Sequence, residues 1–113
     1  MFDRIVYKIM SVAEHKQMQR DGVFRGSTAD IADGYIHLSC GSQLAATLDK
    51  HFSGVGDLML AAVDLSQLAD TVRWEPARGG QLFPHIYGSL PVRSVISVAT
   101  LERTPDGAVR LPA

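Results

Sequence analysis

Asp57-Leu58-Met59-Leu60-Ala61-Ala62-Val63-Asp64 is the stretch on which the fold turns. Its six middle residues are the longest apolar run in the chain, and a carboxylate closes each end. Such a run reads as a central strand covered on both faces, although run length alone leaves a buried helix segment open. It is far too short to cross a bilayer, so no membrane partner is expected.

Toward the N-terminus, residues 5–10 read as a strand that sends Tyr7 and Lys8 to opposite faces. Ser11 and Glu14 make a Ser-x-x-Glu capping box, which starts a helix at Val12. Asp21-Gly22 ends it, because glycine accepts the left-handed conformation at a helix C-terminus. Residues 23–32 are expected to be irregular, since their glycine, serine, threonine and aspartates compete with regular backbone bonding. Asp33-Gly34 is a turn and residues 35–39 a strand. Gly41-Ser42 opens a second helix, in which Leu44, Leu48 and Phe52 recur every four residues as one buried stripe. Gly54 and Gly56 end that helix.

On the other side of the central run, Asp64 can cap a short turn holding Leu65 and Leu68. Residues 72–75 read as a short strand and 76–80 as a loop. Residues 82–87 are extended, and Pro84 confines them to an edge or a bulge. Residues 92–102 read as a longer strand. Thr104-Pro105-Asp106-Gly107 is a turn from which residues 109–111 return as a hairpin. The last part has no crossover helices, which argues against a pure doubly wound sheet. The expected fold is α+β: one domain over residues 1–113, with a mixed, largely antiparallel sheet and two main helices.

A chain of 113 residues makes one domain and can bury roughly two thirds of its unfolded surface. Eleven basic side chains face twelve acidic ones, for a net charge of −1. No broad positive field results, which argues against a nucleic-acid partner. The single cysteine, Cys40, forms no disulfide within the chain and fits a reducing compartment. The first residues carry charge where a secretory leader needs an apolar run, so a cytoplasmic protein is expected.

The chemistry-bearing residues fall in a few short motifs. In Gly34-Tyr35-Ile36-His37-Leu38-Ser39, strand alternation puts Tyr35, His37 and Ser39 on one face and the apolar pair on the other. A phenol, an imidazole and a hydroxyl in a row can orient a ligand, and the histidine can move a proton near neutral pH. The alternative is a structural histidine on a half-buried strand. In Leu82-Phe83-Pro84-His85-Ile86-Tyr87-Gly88, Phe83, His85 and Tyr87 share a face and could wall a flat ring. An aromatic core strand is the alternative.

Between these motifs, Trp74 can stack on a base or seal the core. Glu75 can act as a base, bond a ribose hydroxyl, or pair with Arg73 or Arg78. Arg78, followed by two glycines, suits a phosphate contact because its donors form a planar fork. Ser27 can donate to a ligand or merely close a turn. Gln43 and Thr47 lie one helical turn apart and can point toward the His37 motif. Cys40 sits either at a helix N-terminus, which lowers a thiol pKa, or inert in the interior. No Cys or His pair has local zinc spacing.

Gly26-Ser27, Gly34-Tyr35-Ile36-His37-Leu38-Ser39, Trp74-Glu75, Arg78-Gly79-Gly80 and Leu82-Phe83-Pro84-His85-Ile86-Tyr87-Gly88 together resemble the bacterial family called domain of unknown function 952. The resemblance runs from Tyr7-Lys8-Ile9 to about Val95. More distantly, a strand ending in His37-Leu38-Ser39, then a helix, then an apolar strand closing on Val63-Asp64 is similar to the RNA 2′-phosphotransferase branch of the ADP-ribosyltransferase superfamily. This second resemblance implies an ADP-ribosyltransferase-like split sheet and a nucleotide-type small-molecule ligand. NAD would be a substrate, and no resident cofactor is required.

The same resemblance implies that His37 orients the ribose and that His85 is an acid/base or a phosphate contact. Tyr35 and Tyr87 would line the cleft, Arg78 would meet phosphate, and Tyr7-Lys8 would lie on the first cleft strand. The branch carries a histidine where this chain has Tyr7-Lys8, and its basic RNA-binding extension is absent. Two functions stand side by side: a transferase acting on NAD or an ADP-ribosylated product, and a non-catalytic module for a nucleotide ligand or a protein. The geometric expectation is that Tyr35, His37, Ser39, His85 and Tyr87 line one cleft.

Overall fold

The computed structural model describes residues 2–112, with Arg78 described by its backbone alone. The apolar run is the strand β4 (Leu58–Asp64), the middle of an antiparallel sheet flanked by β1 (Ile5–Ser11) and β8 (Val95–Thr100). Ile9 pairs with Leu60 and Lys8 with Ala61. Leu58 and Leu60 pack into a cluster with Ile9, while Ala61 and Val63 pack into a larger one on the other face. Both faces of β4 are therefore covered, which is why its sequence does not alternate.

Helix α1 (Val12–Asp21) starts at the Ser11–Glu14 capping box and ends at Gly22, whose φ is +73°. Its Met18 joins the larger cluster with Val6, Met10, Ile36, Ile86 and Leu90. Residues 23–32 are not irregular. They hold β2 (Val23–Phe24) and a six-residue helix, α2 (Thr28–Asp33). A second capping box starts α2: Asp30 N–H donates to the Ser27 hydroxyl, and Ser27 N–H donates to the Asp30 carboxylate. Gly26, at φ +120°, lets the chain pass Asp30, because a Cβ here would lie 2.9 Å from that of Asp30.

The short β3 (Ile36–His37) belongs to a second three-stranded sheet, ordered β3-β6-β5, with β5 (Val72–Pro76) and β6 (Leu82–Ile86). Pro84 therefore lies in a middle strand, not at an edge. Its carbonyl accepts from Leu38 N–H just past the end of β3, and the N–H and C=O of a strand residue point to the same side, so its nitrogen faces the end of the β3 pairing and the β5–β6 ladder loses no donor. The first and second sheets meet at an isolated antiparallel bridge, where Tyr7 and Ser39 exchange backbone bonds of 2.8 and 2.9 Å. Beside them, β2 pairs with β7 (Leu90–Pro91).

Helix α3 (Leu44–His51) follows a 3₁₀ turn at Gly41–Gln43, and Leu44, Leu48 and Phe52 pack against β1 and β4 as the spacing predicts. Asp64 caps the turn Leu65–Gln67. Residues 92–102 are not all strand, since Val92–Ser94 form a 3₁₀ turn before β8. The expected C-terminal hairpin is reduced to one bridge between Arg103 and Val109. Among the described residues every strand pairing is antiparallel, so the sheet is not mixed. The α+β class and the two main helices hold.

Ser27→Ala removes the hydroxyl that starts α2 and should cost about 1 kcal/mol of stability, read as a lower urea midpoint. An unchanged midpoint would show that α2 does not depend on this cap.

Candidate functional site

Lys8 sits on the inner face of β1 between Val6 and Met10, both in the larger apolar cluster. A cation there needs a partner. The Lys8 ammonium lies 2.8 Å from one Asp30 oxygen and donates to the other at 3.1 Å and to the His37 carbonyl at 2.9 Å. The side chains are only 6 % and 2 % exposed. Burial pulls the Lys8 ammonium pKa down, and the Asp30 charge opposes it. For Asp30, burial pushes the carboxyl up. The His37 hydrogen bond, the charge and hydrogen bond of Lys8 and the Ser27 N–H outweigh burial and hold Asp30 far below the ordinary carboxylate range.

Asp30 also fixes His37 twice. It accepts from His37 N–H at 3.0 Å and from the ring Nδ1 at 2.6 Å. A carboxylate only accepts, so Nδ1 carries the proton of this contact. Nε2 is directed outward, 2.9 Å from an oxygen of Asp33, and the His37 side chain is 38 % exposed.

His85 is the cross-strand partner of His37. Its Nδ1 donates to Glu75 at 2.7 Å, and the Tyr87 hydroxyl donates to the same oxygen at 2.7 Å. Hydrogen bonds from His85 and then Tyr87 hold the Glu75 pKa below its ordinary value, and the bond to Glu75 pushes the Tyr87 pKa up. The two imidazoles lie 5.6 Å apart, edge to face. Tyr35 lies against both, with its ring centroid 4.1 Å from His85, 4.7 Å from His37 and 5.2 Å from Tyr87. Burial, then the charges of Asp33 and Glu75, push the Tyr35 pKa up. Two carboxylate–histidine pairs thus share one face of the second sheet. In each, the carboxylate sets the tautomer and orientation of the ring, the arrangement used in general acid–base catalysis.

Residues 9–98 match the family model described as "Protein of unknown function (DUF952)". The chain belongs to this family. It is similar to the crystal structure of protein CC0527 from Caulobacter crescentus, with 42 % identity over 94 % of this chain and 93 % of that one and a TM-score of 0.85. The solution NMR structure of CC0527 matches with 43 % identity over 95 % of this chain and 91 % of that one, at a TM-score of 0.79. No curated protein matches the chain.

Of the residues expected to line one cleft, this DUF952 chain gathers Tyr35, His37, His85 and Tyr87. Ser39 is elsewhere: the chain has left β3 to bridge β1, and the Ser39 hydroxyl lies 3.2 Å from that of Thr47 on α3. Lys8 is directed to Asp30 and the His37 carbonyl rather than to a ligand. Tyr7, on the opposite face of β1, packs against the cluster under α3. The Ser27 hydroxyl accepts from Asp30 N–H. Gln43 accepts from Cys40 N–H and donates to the Leu82 carbonyl. The Arg78 side chain lies outside the described residues.

Trp74 occupies the other face of β5 from Glu75 and stacks on Phe2, with centroids 4.5 Å apart. It lines a cavity of about 530 Å³ with Asp3, Cys40 and Gln43. A second cavity, of about 400 Å³, lies between α1 and the start of β8. Neither reaches His37 or His85. Cys40 is not activated: burial, then Asp3, push its thiol up to about 11. Asp30 and Asp33 are the residues that sequence reasoning missed. The Ser27-x-x-Asp30 spacing was the available signal for Asp30. Nothing local marks Asp33.

Asp30→Asn leaves the Lys8 ammonium buried without its counter-ion, and should cost about 3–5 kcal/mol in urea unfolding. The folded Asp30 carboxyl titrates below its unfolded value of 3.8, so its contribution is complete above that pH and is lost as pH falls through the folded value. The stability gap between wild type and D30N should therefore narrow only below about pH 4. A gap that already narrows between about pH 7 and 5 would belong to another group.

Proposed function

We propose that this domain binds a nucleotide-type small molecule, NAD or an ADP-ribose derivative, on the face that carries His37 and His85. In this reading the two imidazoles catalyse ADP-ribosyl or phosphoryl transfer. The observation that carries it is the pairing itself: two cross-strand histidines, each with Nδ1 committed to a carboxylate, which leaves Nε2 as the nitrogen of each ring for a ligand to engage. In phosphoryl transfer, an attacking oxygen bonds to phosphorus as the leaving oxygen departs. One ring takes the proton of the attacking hydroxyl and the other protonates the leaving oxygen. Tyr35 and Tyr87 supply flat apolar surface beside both rings. The likeness of the His37-Leu38-Ser39 strand and the β4 ending to the RNA 2′-phosphotransferase branch points to the same ligand class. NAD is a substrate in this scheme, and no resident cofactor is required.

Ligand that binds the folded chain alone raises its stability, by about 2.7 kcal/mol at a hundredfold excess over Kd. Millimolar NAD or ADP-ribose should therefore raise Tm by several degrees and shift the imidazole proton resonances of both histidines. A flat Tm and unmoved resonances with both compounds would overturn the proposal. Where turnover is measured, His37→Ala should lower it by about 10²–10⁴ with much of the affinity kept. A loss confined to affinity would make the domain a binding module.

A further inference from the structure

One three-residue segment, Asp33-Gly34-Tyr35, closes both histidines. Asp33 places a carboxylate oxygen 2.9 Å from His37 Nε2, the ring nitrogen that Asp30 leaves unused. Tyr35 lays its ring on His85, with an interplanar angle of 27°, and His85 is only 5 % exposed. Glu75 already holds Nδ1 of His85. An anion and a flat ring of the chain itself thus occupy the surfaces a ligand must reach.

The Asp33 carboxylate is not fixed as that of Asp30 is, and Tyr35 holds its place by ring contacts with His37, His85 and Tyr87. The Asp33 side chain is 53 % exposed and meets His37 from the solvent side. Exposed ion pairs of this kind contribute little to folding. Gly34, between the two, caps α2 with φ +87°, and the space beside it is open to 4 Å. The N–H groups of Gly34 and Tyr35 both donate to the Asp30 carbonyl, so the turn itself is fixed and it is the side chains of residues 33 and 35 that can swing aside, whereas the Asp30 carboxylate is held by Ser27, Lys8 and His37.

We propose that Asp33 and Tyr35 are internal stand-ins for the ligand. The Asp33 carboxylate takes the place of a ligand anion on His37, and the Tyr35 ring takes the place of a ligand ring on His85. The two subsites adjoin, since the imidazoles are 5.6 Å apart. The ligand class follows: a flat aromatic ring carrying a phosphate or carboxylate within a short reach, bound by displacing the side chains of Asp33 and Tyr35. This rests on the reading that His37 and His85 are the ligand-facing groups, and it narrows what they face.

Three probes separate the subsites: adenosine 5′-monophosphate for both, adenosine for the ring alone, and inorganic phosphate for the anion alone. Binding is followed by the imidazole resonances of each histidine. Removing a weak exposed competitor should tighten its own probe, so Asp33→Ala should strengthen phosphate binding at His37 by about twofold to fivefold and leave adenosine unchanged. Asp33→Asn, which keeps the shape, should act the same way. Tyr35→Ala should strengthen adenosine binding at His85 several-fold and leave phosphate unchanged. If Tyr35→Ala does not fold, Tyr35→Leu keeps apolar cover, loses the stack and carries the same expectation.

Phosphate binding that is unchanged or weaker in both Asp33 variants would overturn the anion assignment. Weaker or unchanged adenosine binding in the folded Tyr35 variant would make Tyr35 a wall of the site and overturn the ring assignment. No binding of any probe to wild type or variants would overturn both. Adenosine monophosphate binding with no response to NAD or ADP-ribose would uphold the stand-ins and sink the ADP-ribose reading.

Discussion

A single buried ion pair holds the fold and the candidate site to one another. Lys8 projects from β1 into apolar surroundings, where an uncompensated cation is not tolerated. Its partner Asp30 comes from a helix of only six residues, and the same carboxylate closes that helix's capping box. It also binds the backbone and the ring of His37. Strand, helix and imidazole therefore converge on two oxygens. Replacing such a pair by apolar residues of similar volume is often neutral for stability, whereas removing one partner is costly. What the pair adds here is position: the two ends of the Lys8 and His37 contacts cannot move independently. That explains why a charged side chain lies on the inner face of a strand whose other inward residues are apolar.

The parts of this architecture legible in the sequence are those written locally. The capping box at Ser11, the stripe of Leu44 and Leu48, and the unbroken run of β4 each carry their signal within one element. Helix α2 was illegible by the same route only because its box closes with Asp30 rather than Glu, amid residues that also favour loops. Pro84 was misplaced because its nitrogen faces the last residue of the short β3 pairing, so a middle strand tolerates it at the end of one ladder while the other ladder, to β5, stays whole. Ser39 shows the limit of strand alternation. The rule holds through Ile36 and Leu38, both in the core, but one residue later the chain is bound to a different strand.

The site was half legible. Alternation and motif chemistry singled out Tyr35, His37, His85 and Tyr87, and these do meet. The partners that give the histidines their character were not readable as partners. Glu75 was weighed against Arg73 and Arg78, yet it binds His85 and Tyr87 across the β5–β6 register, a pairing no local pattern encodes. Asp30 is seven residues from His37 and reaches it only because α2 turns the chain back. The 42 % identity to CC0527 extends the fold to a second protein, but a shared fold does not carry a reaction.

The two acid–histidine pairs are built in opposite senses. In the first the carboxylate is buried and the imidazole partly exposed, while in the second the imidazole is buried and the carboxylate partly exposed. Asp30 is tied to a buried cation, whereas Glu75 accepts from His85 and Tyr87. Unequal surroundings are how two like groups in one site come to hold different protonation duties. A symmetric pair would have offered a ligand two equivalent contacts. This pair sets a solvent-facing ring, anchored by a buried carboxylate, beside a sheltered one that the Tyr35 ring covers.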